Sequence, residues 1–266
     1  MKDEVRAVES GESMKRLLIA AALALSACNA QEPAQPARIE ALTPDATNSS
    51  RFCTSDGVWC VEASEGAPAV AQHVAEDDLQ TFVTLPAEEG RGVWPSIIRY
   101  THVEGGEGVI VGFTETQSTM YSGGGAQATQ VALYVLGRMP TTAPSSAFVA
   151  PLSSSLNIRA CFSEADVRAR RDACSDDYSF EGTLALADGA STNGPPPLTL
   201  TTQATTFPGQ RSRTTDSTQA PPLSEADLVR WSDPTCSYTR TLTFDAASGV
   251  YTPNEPLPAC SDYLEP

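Results

Sequence analysis

The sequence predicts a mainly β chain: an antiparallel β-sandwich or barrel-like domain with a few short helices, stapled by disulfides, its C-terminal half carrying a degenerate two-copy repeat. Three observations predict it. Short apolar or alternating runs recur between Gly-rich turns such as "EEGRG", "EGGEG" and "SGGGAQ", the spacing of antiparallel strands. Six cysteines beyond residue 50, in a chain that begins like an exported one, form an even set for pairing. A "SEAD…C" pattern occurs twice.

In chain order, strands are expected at 51–61, 81–85, 96–103, 108–114 and 129–138. In "YSFEGTLAL", Tyr178, Phe180, Leu184 and Leu186 share one face. In "CSYTRTLTF", Tyr238, Leu242 and Phe244 face inward while Thr239, Thr241 and Thr243 face water, a half-buried antiparallel strand. Arg240 falls on the inward face and is expected at an edge or beside an acid.

The repeat sets "SEADVRARRDACS" (163–175) against "SEADLVRWSDPTCS" (224–237). Each opens with a Ser followed three residues later by an acid, the sequence of a capping box at a helix start. Each then reaches a Tyr, a Thr-Leu step and an Asp. The expected unit is a short helix, a disulfide anchor and a hairpin, with "PLTLTTQATTF" returning the first hairpin. "PGQRSRTTDSTQAPP" reads as an exposed loop, where binding functions concentrate.

Cysteine spacing gives pairings. In "CTSDGVWC" the Asp56-Gly57 step is a two-residue turn signal that places Cys53 opposite Cys60, within disulfide reach. Matching Phe244 with Val250 puts Cys236 opposite Pro258 and near Cys260. Cys161 then pairs with Cys174 across the first helix. A metal site is disfavoured, since C-x-x-C spacing does not occur and the chain holds two histidines.

The odd cysteine is Cys28. It ends "MKRLLIAAALALSAC" (14–28): two basic residues, nine apolar ones, then Leu25-Ser26-Ala27-Cys28. The apolar run is too short to span a bilayer and reads as an export signal. The four-residue ending resembles the lipobox of bacterial lipoproteins. That resemblance covers residues 14–28 only and implies acylation of Cys28, which becomes the mature N-terminus. In that family an Asp after the cysteine commonly marks inner-membrane retention, so Asn29 implies outer-membrane sorting toward the periplasm. Residues 1–27 are therefore expected to be a signal peptide. Met14 is the expected start, because the acid-rich stretch 1–13 is unlike an n-region. Residues 28–50, rich in Ala, Pro and Gln, are expected to form a lipidated tether reaching roughly 25 Å. Residues 51–266 form the β-rich domain, as one body or as lobes 51–152 and 153–266.

Removing 1–27 leaves 239 residues with thirteen arginines, no lysine and 29 acids, a net charge of −16. Such a charge argues against nucleic acid and anionic headgroups as partners and is compatible with a cationic protein. Without lysine, P-loop, Schiff-base and Ser–Lys chemistries have no residue to work with.

No catalytic, cofactor or metal motif emerges. His73 and His102 are the two possible imidazole bases; His102 reads as a strand residue and His73 as a surface one. Glu76, Asp77 and Asp78, and Asp176 with Asp177, lack the spacing of a calcium loop and read as solvated acids or caps. Arg168, Arg170 and Arg171 form a basic spot, expected to pair with Glu164 and Asp172. Trp59, Trp94 and Trp231 are possible sugar platforms, of which at least two are expected in the core. The expected function is a membrane-anchored, non-enzymatic module binding a cationic protein or a glycan in the envelope. The alternatives are a carboxylate-dependent envelope hydrolase and a structural or assembly component.

Overall fold

The computed structural model describes residues 36–75, 78–103, 106–136, 145–189 and 193–266, without the side chains of Ala75 and Asp78. The export signal, Cys28, the first part of the tether, Glu76 and Asp77 lie outside the described residues.

The chain enters the fold earlier than composition suggested. Strand β1 (Arg38–Ala41) pairs with β7 (Arg91–Thr101), and β2 (Thr43–Pro44) pairs with β3 (Arg51–Cys53). Ordered structure thus begins about a dozen residues before Arg51, within the stretch expected to be tether. Between β1 and β2 the buried Leu42 donates its N–H to the Pro95 carbonyl at 3.1 Å, and the chain crosses there from one sheet to the other.

The small sheet runs β2-β3-β4-β5-β6, adding β4 (Trp59–Glu62), β5 (Ala69–Ala75) and β6 (Asp78–Leu85). The large sheet runs β1-β7-β8-β9-β10-β11-β12-β14-β15. Its central strands are β8 (Glu107–Tyr121), β9 (Gly124–Leu136), β10 (Phe148–Arg159), β11 (Ser175–Leu186) and β12 (Leu198–Phe207). It ends in β14 (Thr239–Asp245) and β15 (Val250–Pro253), while β13 (Trp231–Ser232) pairs beside β14 on β12. All ladders are antiparallel. The described residues cluster as one compact unit.

Period-two alternation explains how one sheet serves two cores. On β8, Val109, Val111 and Phe113 face the small sheet and meet Trp59, Val61, Val83 and Leu85. Ile110, one residue out of phase, faces the other way with Ile98, Tyr100 and Leu133. There the sheet rolls over, so that Leu184, Leu198, Leu200 and Leu242 close the second core. Two backbone bonds fasten the roll: Tyr251 N–H to Ala147 O at 2.8 Å and Gly194 N–H to Thr101 O at 2.7 Å. A third core of Leu156, Tyr178, Phe180 and Tyr263 lies under α2 (Ser261–Leu264).

The roll depends on β11 leaving β10. These strands pair from Ser153↔Glu181 to Arg159↔Ser175, and on its other edge β10 shifts register against β9 at the same point, between Pro151 and Ser153. At Gly182 a Cβ would lie 2.2 Å from the Pro151 carbonyl oxygen, so backbone would have to move. Gly182→Ala is expected to cost about 1–3 kcal/mol, read as a lower urea midpoint; an unchanged midpoint would show that the crossing relaxes freely.

The three disulfides join Cys53–Cys60, Cys161–Cys174 and Cys236–Cys260, with Cα separations of 4.1, 4.9 and 5.9 Å. The first hairpin turn is wider than two residues. Thr54 N–H bonds Trp59 O, and Gly57 N–H bonds Thr54 O, with Gly57 at φ +71°. Two residues added symmetrically leave Cys53 opposite Cys60. In the last hairpin Phe244 pairs with Tyr251 and not Val250, a one-residue slip.

Both copies of the repeat share the returning acid of the cap but not its serine: the Ser163 hydroxyl accepts from the Asp166 N–H at 3.2 Å, whereas the Ser224 hydroxyl donates to the Asp227 carboxylate at 2.7 Å. Asp166 accepts from the Ser163 N–H at 2.9 Å and Asp227 from the Ser224 N–H at 2.7 Å. The first opens an α-helix, α1 (Glu164–Ala169), the second only a 3-10 turn at Glu225–Asp227. Each then leads through a cysteine to a hairpin, β11–β12 or β14–β15. The disulfides differ, since Cys174 pairs with the upstream Cys161 and Cys236 with the downstream Cys260.

Candidate functional site

The residues with most chemistry on open surface meet where the first capped turn faces the loop after β12. The end of β10, the connector to α1, the start of β11 and that loop enclose a cleft of about 560 Å³. Ile158, Arg159 and Phe162 form one wall, Asp176 and Tyr178 the floor, and Arg213 and Thr215–Thr218 the roof.

Each piece is held from below. Alternation on β11 turns Asp176, Tyr178 and Phe180 inward together. Tyr178 stacks edge-on to Tyr263 at 6.1 Å. Burial and the nearby Asp176 and Asp262 carboxylates push the Tyr178 hydroxyl well above its usual pKa, against smaller opposing effects of Arg213 and Arg211, so it stays a neutral phenol. The connector is tied down by Cys161–Cys174 and by Arg159, whose Nε donates to Cys161 O at 2.8 Å. The Arg159 guanidinium lies 5.0 Å from the Phe162 ring centroid, and Phe162 is 62% exposed. The roof is fixed at both ends. Arg213 donates its N–H to Asp262 at 3.3 Å and its Nη1 to the Ser261 and Glu265 carbonyls, while Ser217 Oγ donates to Asp176.

Beneath the cleft Asp176 meets Arg170, and both side chains are almost fully buried, at 4% and 5% exposure. Arg170 also donates Nε to Ala173 O at 2.8 Å, and Arg211 stands 3.7 Å from Asp176. This corrects two sequence expectations. Asp176 is a buried ion-pair member, not a solvated acid, and Asp177 accepts from Asn157 and Ser175 on the outer face. The basic spot is three residues with separate partners. Arg168 reaches Glu164 at 3.6 Å as expected, Arg170 turns inward to Asp176, and Arg171 crosses to Glu225 at 2.9 Å. The last contact joins the two capped turns, with Leu223 N–H donating to Ala169 O beside it at 2.8 Å.

A second charged cluster sits between the sheets. Arg99 is 8% exposed and bonds Glu107 through Nε and Nη2 (2.6 and 2.9 Å) and Asp56 and Glu40 through Nη1 (2.6 and 3.3 Å). Trp59 Nε1 adds a bond to Glu107 at 3.1 Å. Burial alone would raise the Glu40 and Asp56 carboxyls. Hydrogen bonds from Ser55 and Thr54, and from Arg99, outweigh it and hold both below the usual carboxylate range. This cluster fastens the small sheet to the large one.

The other singled-out residues are dispersed. His73 is not a surface residue; it is half-buried, 5.0 Å from Trp59 and 6.3 Å from Phe82 between ring centroids. His102 lies just past β7, its N–H bonded to Gly106 O at 2.9 Å. Trp59 and Trp94 are core residues, and Trp231 is half-buried on β13 opposite Thr206. Arg240 lies 5.1 Å from the Tyr238 ring and 3.2 Å from Glu255, the acid expected for it. Of the residues singled out from sequence, Asp176 and Tyr178 line the cleft, and the 208–222 loop, read there as a place for binding, supplies its roof. Phe162 carried a signal that went unused, an apolar residue outside any alternation, wedged between a cysteine and a helix cap.

The chain matches no protein-family model, no curated protein and no solved structure.

Proposed function

We propose that the protein is an exported lipoprotein, anchored through Cys28 and facing the periplasm, that binds an envelope glycan in the cleft beneath the 208–222 loop without acting on it. The anchor rests on residues 14–28. The binding reading rests on one observation, the exposed Phe162 ring carrying Arg159 at the mouth of a hydroxyl-lined cleft, since a sugar ring offers an apolar face to an aromatic and hydroxyls to the walls.

The carboxylates favour binding over hydrolysis. The cleft's acids are committed within the protein: Asp176 to Arg170 and Ser217, Asp216 to Thr218 and Gln219. A glycoside hydrolase needs one carboxyl ready to give a proton and a second ready to act on the sugar or on water. The charge of −16 supports a second reading, docking of a cationic envelope protein. A pull-down whose yield collapses at high salt would favour that reading.

Two measurements test the proposal. Wild-type protein is expected to partition into detergent and to label with fatty acid, and Cys28→Ser to do neither. Full-length protein is expected to co-sediment with isolated murein sacculi, with Phe162→Ala reducing the bound fraction several-fold. Equal partitioning of wild type and Cys28→Ser would remove the anchor, and failure to sediment would remove the glycan.

A further inference from the structure

Among the described residues, the polar groups lining the cleft divide into committed acceptors and uncommitted donors. Asp176 accepts from Arg170 and Ser217 and has Arg211 nearby; Asp216 accepts from Thr218 and Gln219. The donors are less occupied. Arg159 uses Nε on Cys161 O and leaves Nη1 and Nη2 without a partner. Arg213 uses Nη1 on two carbonyls of α2 and its surroundings and leaves Nη2. The Tyr178 hydroxyl, on the floor, has no hydrogen-bond partner, and the Thr215 hydroxyl on the roof has none. Behind them the Arg211 Nε is buried without a bond.

A site whose free groups are guanidinium ends, which only donate, and hydroxyls, which can donate, is complementary to a ligand rich in acceptors. Carboxylates and phosphates are such groups, and guanidinium binds them with short charge-assisted bonds. We infer that the cleft recognises an oxyanion, a carboxylate or phosphate carried on a ring that lies over Phe162. The inference rests on the glycan reading above and narrows it to acidic saccharides. The protein's overall negative charge does not forbid this, because charges more than about 8 Å away are largely screened at physiological ionic strength; at the cleft itself Arg170 and Arg211 offset Asp176, which leaves Arg159 and Arg213 against the single carboxylate of Asp216.

The position of Arg159 explains why one residue serves both parts of such a ligand. Its Nε is fixed to the connector, its plane rests against Phe162, and its two terminal nitrogens remain for an anion beside the ring. Tyr178 supplies a donor from the floor, and its elevated pKa keeps that proton in place at any physiological pH.

The test is ligand-observed NMR on purified full-length protein with four probes: glucuronate, glucose 6-phosphate, glucose and inorganic phosphate. Both charged sugars are expected to bind saturably and glucose to bind at least about tenfold more weakly, one charge-assisted contact's worth. The two charged sugars separate carboxylate from phosphate preference, and inorganic phosphate reports how much the ring adds. Arg159→Gln, at an exposed position, is expected to weaken the charged probes about tenfold while lowering the urea midpoint only by the loss of one part-buried hydrogen bond to Cys161 O. Tyr178→Phe is expected to weaken them several-fold. Glucose binding as tightly as glucuronate, neither anion saturating at tens of millimolar, or indifference to Arg159→Gln would each overturn the inference. Sacculus binding with no anion preference would overturn it while leaving the glycan reading in place; anion binding without sedimentation would do the reverse.

Discussion

The substitution Arg170→Met is expected to lower the unfolding free energy by about 2–4 kcal/mol, and the pair Arg170→Met/Asp176→Leu to recover at least about 1 kcal/mol of that loss. The reasoning is one of desolvation. Both side chains are nearly out of water, so removing the arginine leaves a carboxylate that can neither hydrate nor find an equal partner. Ser217 Oγ still donates to it, and Arg211, 3.7 Å away with an unbonded Nε, is placed to close in. That nearby cation keeps the loss below the full cost of an orphaned charge. Replacing both members by apolar groups removes the orphan, which is why the double variant is expected to stand above Arg170→Met. Urea unfolding of wild type, Arg170→Met, Asp176→Leu and the double variant gives the coupling directly. A double variant as unstable as the two losses added together would show that the residues are independent.

Arg99→Met is expected to cost about 2–3 kcal/mol at pH 7 and progressively less as the pH is lowered below about 4. Three carboxylates converge on this guanidinium, and their exposure, from 17% for Glu40 to 43% for Asp56, discounts the loss relative to a fully buried pair. Each acid keeps other donors: Glu40 has Ser55, Asp56 has Thr54 and Val58, and Glu107 has Trp59. What disappears is the positive charge among them. In the native protein Glu40 and Asp56 have depressed pKa values, so their stabilisation is complete above the unfolded carboxylate range. It is lost as pH falls through the lower folded values. Without Arg99 the same groups repel and are easier to protonate when folded, so acidification relieves the variant while it erodes the wild type. Urea midpoints at pH 7, 4 and 3 would show the gap narrowing at the acid end; a gap constant over that range would mean that packing, not charge, is what Arg99 supplies.

Local sequence specified much of this architecture because strands and tight turns are local problems. The alternation of "CSYTRTLTF" puts Leu242 inside and Thr239, Thr241 and Thr243 outside, as the pleat requires. The Cys53–Cys60 pair follows from a turn signal even though the turn is wider than the signal implies. Where a turn's residue count decides register, the sequence was less informative. In the last hairpin Asp245 accepts from the Ala247 N–H and Ser248 Oγ, and this side-chain turn sets Asp245 opposite Val250. His73 was misplaced because each face of "AVAQHVA" carries one polar residue among apolar ones, His73 with Ala71 and Gln72 with Val70 and Val74, so periodicity does not say which face is buried. The strands at 38–44 are too short to show a period and sit in Ala- and Pro-rich surroundings. The cleft was least legible, since its walls come from residues about 50 positions apart. A lone arginine inside "SIIRYT" was the one available pointer to the cluster around Arg99.

The crossing at Leu42 governs how the fold bears a pull from its N-terminal side. A load arriving at Arg38 first meets β1, an edge strand four residues long, and then the two-residue β2. Both lie at the ends of their sheets, so peeling them exposes little of either core. The next strand contains Cys53, whose bond to Cys60 passes the load across the turn to β4, an interior strand covered on both edges. Mechanical unravelling from Arg38 thus meets a covalent link after its first two strands, and a short length of chain can yield under tension while the rolled sheet behind it stays shut.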